Sequence, residues 1–297
     1  MDILNTYTIA LKITLLITAG FIINRVFYRR RAVRKVIKYI IDILWYILIP
    51  LFVVFSIWSV DLTGISAVYL MLAAAFAVAS GIFIAVLLSR KIGIELRTIA
   101  LPIIFMNSGY LGISLNKLLF NGQVAAMAAI YNVANAFLIF TAGIFIAAKK
   151  TAIKNIIKVP VVYAVFAGFL LNFSGAKPGL PGAGELVKAV PYMMLIYVGY
   201  SLKGVGRKNM KFIFIGALGR ILGGLAAGII FVLLFRPSAA VSGVILLSSA
   251  LPSALNTIII SKKYNVDTSL TGGIITLSTL LFMAVLPFIV KLIYYIR

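Results

Sequence analysis

Four stretches of this chain, 98–116, 123–148, 221–235 and 237–261, carry no charged residue. A helix needs roughly 20 apolar residues to cross a hydrocarbon core. Inside lipid the backbone must satisfy its own polar groups, which a helix does within one segment. Runs of this kind restrict the chain to a bundle of membrane helices. Charge content agrees: 63% of the 297 residues are hydrophobic and 11% are charged, whereas a soluble domain carries roughly 25% charged residues. The expected fold class is an all-α integral membrane protein.

Residue types narrow the chemistry. The chain has neither cysteine nor histidine, which excludes disulfides, thiol chemistry, haem ligation by histidine and histidine-based zinc sites. Its six acidic residues are Asp2, Asp42, Asp61, Glu95, Glu185 and Asp267. No two form a helically spaced pair inside a span, as an embedded hydrolase or a carboxylate-driven pump requires. The chain is therefore expected not to be an enzyme and to hold no resident cofactor or metal. Sodium or proton coupling stays open, because hydroxyl, amide and carbonyl oxygens at Asn107, Ser108, Asn256 and Thr257 could serve a sodium ion. No GxxxxGK[ST] motif is present, so ATP-driven transport by this chain alone is not expected.

Apolar runs between polar punctuation mark ten spans, near 5–26, 38–59, 65–89, 97–120, 122–148, 155–173, 185–203, 210–235, 239–262 and 266–294. The net charge of +22 raises the question of a nucleic-acid partner, but its distribution answers it. The odd-numbered loops carry 7, 3, 4, 4 and 2 basic residues, the densest cluster lying at 25–38. The even-numbered loops and both ends together hold Lys117, Lys177, Lys188, Arg236, Lys291 and Arg297. Basic loops face the cytoplasm. The expectation is a multi-pass protein of the cell membrane with both termini outside, whose basic cluster meets lipid headgroups and no nucleic acid.

Ten spans with a basic loop at the midpoint divide into residues 1–148 and 149–297. Five spans per half force the halves into opposite orientations, the inverted-repeat plan of many secondary transporters. "LP" recurs at Leu101–Pro102 and Leu251–Pro252, each followed by an asparagine, Asn107 or Asn256. Around the first lie Ser108, Gly109, Gly112 and Ser114, and around the second Ala254 and Thr257. A proline removes a backbone donor and frees a carbonyl one turn earlier. Such backbone is tolerated at membrane depth only under protein or beside a water-filled cavity. Interruptions at corresponding places in two halves point to a transporter's binding site. The same glycines and asparagines could equally serve helix packing.

At these residues the chain resembles the auxin efflux carrier family, the prokaryotic permeases related to plant auxin exporters. "NSGYLGISL" (107–115) is similar to that family's Asn-x-Gly-x-x-Gly-x-Pro signature, with Ser114 standing where the family has proline. "LPSALNT" (251–257) resembles its Pro-x-Ala-x-Asn segment. The resemblance implies that helices 4 and 9 cross, and that a mobile core (helices 3–5 and 8–10) moves against a scaffold (helices 1, 2, 6 and 7). It also implies substrates such as auxin-like carboxylates or dicarboxylates. The candidate binding residues are Asn107, Ser108, Gly109, Gly112, Ser114, Pro252, Ala254, Asn256, Thr257 and Arg220. Arg220 and Lys12 are the basic residues placed inside spans, where each could face an anion or snorkel to an interface. Two other functions remain open: a sodium-coupled organic anion symporter of the bile-acid-transporter type, and a non-transporting membrane receptor. A homodimer is one arrangement open to the chain.

Overall fold

The structure is a computed structural model and describes residues 3–27, 31–58, 65–120, 122–148, 160–175, 183–202 and 209–296. The basic stretches at 28–30, 149–158 and 203–208, both chain ends, Lys177 and Asp61 lie outside the described residues.

Apolar sequence in lipid favours helix wherever the backbone permits it, and the described residues are helical almost throughout. α1 (Ile3–Phe27) is followed by α2 (Arg31–Ile43), which a π-helical turn (Leu44–Leu48) carries into α3 (Ile49–Trp58). α4 (Ile65–Ile92) precedes α5 (Leu96–Ile104), which stops; a π-helical turn (Ser108–Gly112) then leads into α6 (Ile113–Leu119). α7 (Gly122–Leu138) passes through another such turn (Ile139–Gly143) into α8 (Ile144–Ala148). Next come α9 (Pro160–Phe173), α10 (Ala183–Ser201) and α11 (Met210–Phe235). α12 (Ala239–Ala250) stops, α13 (Asn256–Lys263) resumes, and α14 (Thr268–Ile296) completes the fold.

Among the described residues four helices, Ser66–Ile92, Ala126–Ala147, Met210–Phe235 and Thr268–Tyr295, are long and apolar enough to cross a membrane. Large apolar side chains face outward, Phe83, Leu170 and Phe288 being 64%, 74% and 68% exposed. In water such a surface drives association; against lipid tails it costs nothing. Inside, Asn107, Asn116, Asn135, Arg220, Ser249, Ser253 and Ser278 are all buried. An apolar exterior around a polar centre is the pattern of a helical membrane protein, and this chain is one.

Packing repeats itself. α4 and α11 lie against each other; α4 carries α5 and α7, and α11 carries α12 and α14. Each broken helix crosses over: α5 touches α11 and α14, and α12 touches α4 and α7. At the periphery α1 runs along α10, and α3 along α9. Both peripheral pairs close on a glycine, since a Cβ on Gly20 would run into the Ile196 carbonyl and one on Gly168 would stand 2.9 Å from Ile57 Cβ. Four residues later, Asn24 Nδ2 donates to the Tyr200 carbonyl (2.5 Å), and Asn172 Nδ2 to those of Ile57 (3.0 Å) and Trp58 (3.2 Å). "GFIIN" (20–24) and "GFLLN" (168–172) are thus one packing device used twice.

Candidate functional site

Two chain breaks meet at the centre of the molecule. Phe105, which ends α5, is extended (φ −102°, ψ 131°), and so is Leu251, which ends α12 (φ −56°, ψ 152°). The extended pieces lie antiparallel, bridged at Met106 and Ser253. Asn107 N–H donates to the Pro252 carbonyl (2.8 Å), and Ala254 N–H to the Phe105 carbonyl (2.9 Å). The two prolines do not act alike. A residue before proline is driven out of the α region, so Pro252 stops α12 directly. Pro102 lies inside α5, which runs on to Ile104; here the sequence expectation of a proline-made break is corrected.

A helix that stops leaves its last carbonyls without intrahelical donors. Ser253 Oγ donates to the Pro102 carbonyl (2.5 Å). Arg220, reaching in from α11, donates through Nη1 to the carbonyls of Ile103 (3.0 Å) and Ile104 (2.8 Å). Its Nη2 donates to the Ser249 carbonyl (2.7 Å). One guanidinium therefore serves the C-terminal ends of both α5 and α12. Arg220 is 1% exposed and does not snorkel to an interface. Lys12 is exposed on α1.

Beyond the first break the chain is enclosed by α7. Ser108 Oγ donates to Asn132 Oδ1 (2.9 Å) and accepts from Asn135 Nδ2 (2.7 Å), which also donates to the Met106 carbonyl (2.8 Å). Tyr131 OH pairs with Ser249 Oγ at 2.9 Å. Gly109 leaves room for this layer: a Cβ there would stand 3.1 Å from Asn132 Oδ1. Gly112 packs on Leu251, and Ser114 Oγ donates to the Tyr110 carbonyl one turn back (2.7 Å). Asn107 is buried, and its Nδ2 has no partner among the described residues.

The second break is held by hydroxyls. Ser278 Oγ on α14 accepts from Ser253 N–H (3.2 Å) and donates to Ser253 Oγ (3.2 Å). Thr257 Oγ1 donates to the Ala254 carbonyl (2.6 Å). Asn256, the first residue of α13, is half-buried and lines a cleft with Tyr197 and Ser201 of α10, Leu255, Ile258, and Gly272 and Ile275 of α14. The Tyr197 ring also meets Tyr110 of the first break, centroids 5.2 Å apart.

The structure thus gathers the ten candidate binding residues around one crossing, with Arg220 at its C-terminal side, and leaves Lys12 exposed on α1. It divides them as well: Asn256 faces open space, while Asn107, Ser108, Ser114, Thr257 and Arg220 are buried. Sequence reasoning missed Tyr131, Asn132, Asn135, Ser253, Ser278 and Tyr197. The signal for three of them was present, since Tyr131, Asn132 and Asn135 are polar residues in an uncharged run, and polar groups at membrane depth are rarely idle.

No family model matches the chain. The chain is similar to an uncharacterized transporter of Methanothermobacter thermautotrophicus, with 26% identity over 261 residues that cover 80% of this chain and 83% of the relative.

Proposed function

We propose that this chain is a secondary or facilitative transporter of a small organic anion, a member of the auxin efflux carrier family acting at the cell membrane. Its likeness to a transporter supports the class. The matched glycine–asparagine devices and the paired packing of α4 with α11 support a ten-span fold built from inverted repeats, residues 1–148 and 149–297. On this reading α1, α2–α3, α9 and α10 form the scaffold, and α4–α8 with α11–α14 form the core that moves against it, exposing the site to each side in turn. Both termini lie outside.

One observation carries the substrate reading: the cleft at the start of α13, between a peripheral helix and a broken one, into which Asn256 faces. A helix N-terminus carries roughly +0.5 of a charge and a C-terminus roughly −0.5. Arg220 offsets the two C-terminal ends at the crossing. The helix starts at the crossing have no carboxylate beside them among the described residues, because Asp42 is exposed on α2, and Glu95 and Asp267 are exposed at the starts of α5 and α14. An anionic group with a modest apolar body suits that arrangement: amide and backbone donors for the carboxylate, Leu255, Ile258, Ile275 and the Tyr197 ring for the rest.

The test is counterflow in proteoliposomes loaded with unlabelled mono- or dicarboxylates. Accumulation of labelled substrate that Asn256→Leu abolishes is the expected result. Binding in detergent with no flux for any carboxylate would make the protein a receptor and overturn the proposal.

A further inference from the structure

The guanidinium of Arg220 sits where the ends of two broken helices present their carbonyls. Three carbonyl oxygens, from Ile103, Ile104 and Ser249, converge on it at 2.7–3.0 Å from the ends of two different helices. Carbonyls at the ends of broken helices are the ligands with which crossed-helix carriers hold sodium. The niche is shaped for the side chain: a Cβ on Gly224 would collide with both Nη2 and the Ser249 carbonyl oxygen. Among the described residues no acidic side chain pairs with Arg220, and its Nε has no partner. Two helix C-termini of roughly half a negative charge each balance one cation. The site is electroneutral with the arginine in place and needs no added ion.

We infer that the crossing is a monovalent-cation site permanently filled by Arg220, so that the protein carries its own cation and transport proceeds without sodium. The second half of this inference rests on the transporter reading above; the first half does not. Arg220 is a positioning residue in this account. It binds α5 and α12 to α11, which fixes the chain on both sides of the Asn107–Pro252 bridge.

Three variants and one soluble probe test it. Arg220→Ala opens the niche; it should melt roughly 5–10 °C lower than the parent protein. Methylguanidinium should restore much of that loss when it replaces tetramethylammonium at equal ionic strength, and should leave the parent unchanged. A purely structural arginine would give the same fall with no selective rescue, and that outcome overturns the inference. Should Arg220→Ala not fold, Arg220→Lys and Arg220→Gln decide: Lys keeps the charge and should melt above Gln, whereas equal or reversed melting overturns the need for a cation. Flux of the parent protein should be equal in sodium, potassium and choline; a requirement for sodium overturns the second half. Rescue of the alanine variant without flux of any anion would uphold the cation site and fail the transporter reading alone.

Discussion

At Phe105–Asn107 the broken helix is wrapped by amides, Asn132 and Asn135 of α7, and buried. At Leu251–Leu255 its counterpart is held by small hydroxyls, Ser253 and Ser278, and ends on a cleft. The breaks also arise differently. Pro252 forces the second through local sterics. The first has no proline at its stopping point, and the antiparallel bridge holds Phe105 extended and Asn107 outside the helical region (φ −78°, ψ 54°). One break is written into its own segment and borders a cleft; the other is imposed by its neighbours and is buried. Two similar motifs thus separate into a member buried under α7 and a member that borders a cleft.

The largest stability difference between the breaks should come from the layer on α7. Asn135→Leu deprives the Met106 carbonyl and Ser108 Oγ of a donor, at about 1–3 kcal/mol. Thermal melting should fall by roughly 3–10 °C, with ligand affinity of the folded fraction unchanged. Ser278→Ala at the other break should cost about 0.5–1 kcal/mol. Equal losses would break the contrast between an amide-clad and a hydroxyl-held site.

The prolines sharpen the contrast through sign. Pro252→Ala frees Leu251 to become helical and should destabilise the protein by about 1 kcal/mol. Pro102→Ala should leave melting unchanged or raise it, because a proline inside a helix opposes that helix. Destabilisation by both would mean that each proline makes its own break. The smallest effect belongs to Ser114→Ala, since that hydroxyl serves the carbonyl one turn back in its own segment. A loss of about 0.5 kcal/mol or less is expected, and a shift in melting beyond roughly 2 °C would assign Ser114 a larger part.

The existence of both breaks was legible in the sequence. Proline beside asparagine and glycine in an uncharged run points to an interrupted helix, although glycine and asparagine alone also serve helix packing. The roles of the two asparagines were not legible, because Asn107 and Asn256 sit in matching motifs and differ only in what surrounds them. That difference depends on α7 and α10, which reach the crossing from far along the chain. The task of Arg220 was hidden for the same reason: spacing reveals which residues share a helix face, not which distant carbonyls a long side chain will reach. The paired "GFIIN" and "GFLLN" stretches could have been found, since they echo each other between the halves as openly as the two "LP" motifs do.

The most direct test of this division is ligand affinity measured side by side for Asn107→Leu and Asn256→Leu, using a carboxylate that stabilises the parent protein. Asn256→Leu should weaken binding by about one to two decades, the loss expected when a polar partner is left unpaired at about 1–3 kcal/mol. Asn107→Leu removes a donor that has no partner among the described residues, so affinity should change by less than about threefold while melting holds or rises. Equal loss of affinity in the two variants, or loss confined to Asn107→Leu, would contradict the account and place the ligand at the first break.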